Sequence, residues 1–168
     1  EEARGFLQGL VTCDMDHVEE NKPAFGALLT AQGKILFDFI IFGRGDGFFI
    51  DCRSEMAAEF IKRLTFYKLR AKVEIEDQSD RHAVIAAWGE EQPVEQHGLA
   101  PDARLVTLGL RGIVDRQAAQ HMVADLGDVA SPADYHAHRV ALGVPEGGID
   151  FAFSDTFPHE ADMDQLNG

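Results

Sequence analysis

The chain has 168 residues, enough for one domain with a real core or two small halves sharing one. A net charge of −14 argues against broad nucleic-acid binding, which rests on basic surface, and no apolar run reaches the ~20 residues of a membrane helix. The two cysteines, Cys13 and Cys52, match no C-x-x-C spacing and fit reduced thiols in a cytoplasmic protein.

In chain order, Glu2 to Val11 reads as a short helix with Phe6, Leu7, Leu10 and Val11 on one stripe, weakened by Gly5 and Gly9. Thr12 to Pro23 is a polar, acidic connector. Ala24 to Thr30 and Lys34 to Phe42 read as two strands around the turn Ala31-Gln32-Gly33, where Gly33 can take a positive φ. Alternation puts Ile35, Phe37, Phe39 and Ile41 on one face of the second strand and Leu36, Asp38, Ile40 and Phe42 on the other. Both faces are apolar, which predicts a central strand. Gly43 to Gly47 is a turn cluster, and Phe48 to Cys52 a third strand.

Ser54 is a candidate N-cap for a helix from Glu55 to Phe66, burying Met56, Ala57, Phe60, Ile61 and Leu64. Ala71 to Glu76 alternates as a strand, and His82 to Trp88 follows as another. Gly89 to Pro101 is a charged loop, and Ala103 to Val114 one or two strands interrupted at Gly109 and Gly112. Asp115 can cap a helix from Arg116 to Leu126, and Ser131-Pro132 opens one that runs to Leu142 and ends at Gly143. The tail from Val144 lacks periodicity, but Ile149, Phe151, Phe153 and Phe157 call for burial. Hairpins mixed with isolated helices favour an α+β fold, in two halves, over a doubly wound α/β sheet.

Asp38 is the sharpest functional clue. A carboxylate in a greasy central strand is costly unless it is hydrogen-bonded, paired or facing a wet cavity. Two roles fit: bonding the backbone of a neighbouring loop, or accepting a hydrogen bond from a ligand's ring nitrogen or amine. The basic run Lys62, Arg63, Lys68, Arg70 and Lys72 is either a solvated helix end or a contact for an anionic partner. His136 and His138, two apart on a helix, do not share a face, and the tail acids read as a solvated loop, so no metal site is expected. There is no G-x-S-x-G, P-loop or Rossmann fingerprint.

Four segments together resemble one family: Phe6-Leu7-Gln8-Gly9-Leu10-Val11-Thr12, the hairpin from Ala24 to Phe42, LTFYKLRAKVEI from Leu64, and HRVALGVPEGGID from His138. The chain resembles the YgfZ-type folate-binding proteins, paralogues of the glycine-cleavage aminomethyltransferase (T-protein). The resemblance implies two ferredoxin-like halves around a central cavity for tetrahydrofolate, followed by a small β-barrel domain. Residues 1–168 would be an incomplete folate-binding domain. Both ends read as cut through ordered sequence, so a longer protein is expected, with a Lys-Gly-Cys motif soon after Gly168 and the barrel beyond.

The implied role is assistance to iron–sulfur cluster assembly or repair, and thereby support of tRNA modification. The implied partners are iron–sulfur client or assembly proteins. The aminomethyltransferases carry two adjacent acids in the central strand; here Phe37 stands beside the single Asp38. Their pterin-gripping Glu falls near Arg111, an Arg of theirs falls on Tyr135, and Arg139 matches the Arg of their R-L-E-A-G segment. Their T-N-D reads Thr12-Cys13-Asp14. Asp38, Phe37, Arg111, Tyr135 and Arg139 are thus the implied folate-site residues, the two arginines either holding ligand carboxylates or pairing internally. The alternatives are a folate-dependent one-carbon transferase and an RNA or protein interaction module. No catalytic residue is assigned.

Overall fold

The computed structural model describes residues 2–89 and 98–168. The fold is α+β, built on two three-stranded antiparallel sheets among the described residues, ordered β1-β2-β3 and β4-β6-β5. The charged loop expected over Gly89 to Pro101 lies largely outside the described residues; its end is described from Gly98, with Leu99 buried and β5 at Ala100–Pro101.

Helix α1 (Glu2–Gln8) stops before Gly9, and Val11 instead bridges to Leu28. The stretch after it is more than a polar connector. Met15 and Val18 are wholly buried, and the Arg4 guanidinium donates to both of their carbonyls. Acidic neighbours hide these two core residues from a reading by composition.

β1 (Ala24–Leu29) and β2 (Ile35–Arg44) pair around the turn, with Gly33 at φ 83°. β3 (Gly47–Asp51) pairs with the other edge of β2, so β2 is central. The expected alternation holds from Phe37 to Phe42. It fails at Ile35, because the register slips by one between Leu28 and Leu29, which leaves Leu36 as the extra residue of a bulge. Ile35 therefore joins the opposite face, where its backbone exchanges hydrogen bonds with Ser154 and Thr156 of the tail.

The first face of β2 packs on α2 (Ala57–Lys68). Phe60 stacks between Phe37 and Phe39, with ring centroids 4.8 and 5.0 Å away. Ser54 makes no cap: it opens a short 3-10 turn, Ser54–Met56, and α2 begins behind it with no side-chain cap bond. Ala71 to Glu76 alternates as expected, with Val73 buried and Ile75 against this core. Among the described residues it joins no ladder.

In the second sheet β6 (Leu110–Asp115) is central, between β4 (His82–Ala87) and β5. Gly112 does not interrupt it but pairs with Ile85, while the chain before Gly109 forms a 3-10 turn, Val106–Leu108. Asp115 caps α3 (Arg116–Leu126), accepting from the N–H groups of Gln117 and Ala118. Ser131 and Asp134 form a capping box on α4 (Pro132–Ala141). The tail then folds under the second face of β2, burying Val144, Ala161, Met163 and Leu166, with Phe151 and Phe153 against them. Ile149 and Phe157, expected inside, remain exposed. No helix among the described residues is long and apolar enough to cross a membrane.

Candidate functional site

Between the two sheets lies a cavity of about 360 Å³. Asp38 and Ile40 of β2, Asp51 of β3, Val84 and Ala86 of β4, Arg111 of β6, and Tyr135 and His136 of α4 line it, with Phe25, Arg53, Arg104 and Glu146. A larger cavity, about 670 Å³, lies between β3, α2 and β4, and its walls include Phe6, Leu7, Phe60 and Leu64 of the first core. The smaller one is the better site candidate, because polar groups from many elements converge on it.

Pairing geometry places the acids. Ile40 is opposite Asp51 across β2 and β3, and cross-strand partners share a face, so Asp51 joins Asp38 on the cavity side. Asp51 is held by Arg111, whose Nε donates to Oδ2 at 2.6 Å. Arg111 also donates to the Tyr135 hydroxyl at 3.2 Å, and Arg104 donates to the same oxygen at 2.7 Å. Arg104 grips Asp102 with two further donors, at 2.9 and 2.7 Å, and both residues are buried. Burial opposes the charge on each arginine. The carboxylate of Asp102 on Arg104, and that of Asp51 on Arg111, outweigh it and hold both guanidiniums protonated above the ordinary arginine range.

A second cluster stands behind the cavity. Arg139, 2 % exposed, meets Glu146 at 3.0 Å and Asp150 at 2.5 Å, and donates to the Val144 carbonyl. Arg53 meets Glu146 at 3.2 Å from the other side.

Asp38 differs from all of these acids. Its Oδ2 accepts from the Gly147 backbone N–H at 3.1 Å, and among the described residues no cation forms a salt bridge with it. Burial pushes its pKa up. The Gly147 bond opposes this, Glu146 adds to it, and Arg104 acts from a distance to lower it. Gly147 is required for this approach: a Cβ there would sit 2.4 Å from the Phe153 ring and 2.7 Å from Asp38 Oδ1. The loop-backbone role is therefore seen for Asp38, which also lines the cavity.

Of the five site residues expected from the sequence, the cavity gathers Asp38, Arg111 and Tyr135. Arg139 lies behind it, reaching it through Glu146. Phe37 is on the opposite face of β2, stacked on Phe60. Sequence reasoning missed Asp51, Asp102, Arg104 and Arg53. Asp51 could have been found by extending the hairpin register; Asp102 and Arg104 gave only the weak sign of two charges in an otherwise apolar stretch. Cys52 also lines the cavity, but burial and the charges of Asp51 and Asp38 push its thiol up to about 11, so it is protonated at neutral pH.

No family model matches the chain. It is similar to the iron–sulfur cluster assembly factor IBA57, mitochondrial, of Homo sapiens, with 30% identity over 99% of this chain and 53% of that protein. The IBA57 homolog of Neurospora crassa, also named mitochondrial, is 29% identical over 99% of this chain and 43% of its own length. The tRNA-modifying protein YgfZ of Photobacterium profundum is 32% identical over 68% of this chain and 35% of that protein. The chain thus spans about half the length, or less, of these curated relatives. The similarity runs to the IBA57 and YgfZ group and singles out no one member. It corrects one expectation: the cytoplasmic location is overturned by relatives named as mitochondrial proteins.

Proposed function

We propose that this chain is the tetrahydrofolate-binding region of a protein that assists iron–sulfur cluster assembly or repair, and thereby supports tRNA modification. The names of the IBA57 and YgfZ relatives support the assembly role, with iron–sulfur assembly or client proteins as partners. In this proposal the two sheets with their helices are the two ferredoxin-like halves.

One observation carries the folate reading: among the described residues Asp38 is a carboxylate with no arginine paired to it, on the wall of a cavity whose other inward acids are paired. The cavity volume suits a small molecule. Asp38 would accept from N–H groups of the pterin or its bridging nitrogens, with Phe25 and Ile40 as apolar wall. Arg111 would have to exchange Asp51 for a ligand carboxylate, and Arg139 is already committed to Glu146 and Asp150. When bound, tetrahydrofolate supplies a carrier for one-carbon units. Calorimetric titration with tetrahydrofolate tests the reading. Wild type should bind, and Asp38→Asn should weaken binding roughly 10- to 100-fold, the worth of a hydrogen bond to a charged group. Absence of binding by wild type would overturn it.

A folate-dependent aminomethyltransferase-like activity is the second reading, favoured by an acid placed where folate nitrogens would lie. Formation of methylenetetrahydrofolate from an aminomethyl donor would rank it first.

A further inference from the structure

The C-terminal end of α2 carries a surface that the cavity does not use. Five of the chain's fifteen Lys and Arg residues fall between positions 62 and 72, and no carboxylate occurs between Glu59 and Glu74. Among the described residues, Lys62 with Glu59 at 3.6 Å is the only salt bridge these five make. Two large apolar side chains stand among them: Phe66 is 73% exposed and Leu69 is 90% exposed. Leu69 has φ 44° and ψ −98°, in a tight turn closed by the Ala71 N–H donating to the Lys68 carbonyl at 2.8 Å. Positive φ with negative ψ at that position belongs to glycine. A leucine there holds strained backbone, yet its side chain gains no cover from its own chain.

We propose that this tip docks onto the surface of a protein partner that offers a helix with an apolar stripe flanked by carboxylates. Charge complementarity argues for it: residues 60–73 carry five cations and no acid, while the twenty-nine carboxylates lie in other segments, Glu2 among them accepting from the Lys72 backbone N–H at 2.8 Å at the edge of the tip. That acidic remainder opposes an extended polyanion such as RNA or an anionic membrane, which would face more than the tip. A contact confined to one turn avoids it. Leu69 supplies the aliphatic knob and Phe66 the flat apolar flank, an anchor-and-rim arrangement common at protein interfaces. This surface shares no residue with the folate site, so its test is independent of folate binding.

The test uses the intact protein and a synthetic helical peptide with a leucine stripe flanked by glutamates, titrated by fluorescence anisotropy. The peptide should bind wild type, and Phe66→Ser with Leu69→Ser should weaken binding roughly tenfold or more, as should Lys68→Glu with Arg70→Glu. Both pairs sit outside the core, and a melting curve verifies that each variant folds. Polyglutamate without the stripe should bind at least roughly tenfold more weakly than the peptide. Equal binding by wild type and variants, or no binding, would overturn the proposal. Tighter, tip-dependent binding of a single-stranded RNA oligonucleotide or of phosphatidylglycerol vesicles would overturn it too.

Discussion

The two faces of β2 share ten residues of backbone and do opposite things. One face, through Phe37, Phe39 and Ile41, closes against α2 in stacked rings. The other places Asp38 between Ile40 and the bulge at Leu36, against a cavity. The acids around that cavity divide the same way. Asp51, Asp102 and Asp150 each hold an arginine; among the described residues Asp38 holds only a backbone N–H. A strand buried on both faces can thus devote one to packing and carry one charge on the other, where the proposed ligand would meet it.

The contrast breaks most visibly at the aromatic stack. Phe60→Ala should cost about 3–5 kcal/mol in denaturant unfolding, since it leaves Phe37 and Phe39 facing a void. Arg139→Ala should cost about 3 kcal/mol or more by the same measurement, because it takes the cation from Asp150, leaves Glu146 to Arg53 and opens a buried gap. Gly147→Ala should cost about 1–3 kcal/mol, since the new methyl group displaces Phe153 or Asp38. Of these three, only Gly147→Ala should also disturb folate binding.

Asp38→Asn sharpens the comparison through pH. Asp38 holds its proton more tightly folded than unfolded. Its contribution to stability is therefore fullest below the ordinary carboxylate pKa and is lost as pH rises through its raised value. The Asn variant escapes that loss. It should melt above wild type at neutral pH, with the advantage shrinking as pH falls into the carboxylate range, as thermal scans across pH would show. Replacing an acid paired with arginine should do the reverse, so Asp51→Asn should melt below wild type at neutral pH. The smallest effect is expected far from either face: Leu69→Gly should stabilise by about 1 kcal/mol or less, by relieving the positive φ.

Much of the hairpin was legible in the sequence because alternation and a glycine turn fix register together. Asp38 stood out for the same reason: an acid is conspicuous where every neighbour is apolar. Ile35 was misplaced because a bulge is a tertiary compromise, set here by the tail strapping Ser154 and Thr156 to it. Ala71 to Glu76 shows that alternation reports burial and not pairing, since Val73 is buried and Ala71 and Ile75 half-buried without a ladder among the described residues. Arg104, with Asp102 gripping it, was not legible because Arg104 meets Tyr135 only through long-range packing of a loop on α4. The ionic partners of Arg111 and Arg139 were beyond reach for the same reason, although internal pairing had been one of their two expected roles.

The central claim is that Asp38 is the cavity's free acid, and its own titration tests this most directly. Carboxyl-carbon NMR of Asp38, followed across pH with and without tetrahydrofolate, should show a pKa above the usual carboxylate range in the free protein. It should fall when tetrahydrofolate binds, because donors from the ligand favour the ionised form. An Asp38 that titrates at or below the ordinary range, or whose titration ignores tetrahydrofolate, would contradict the account.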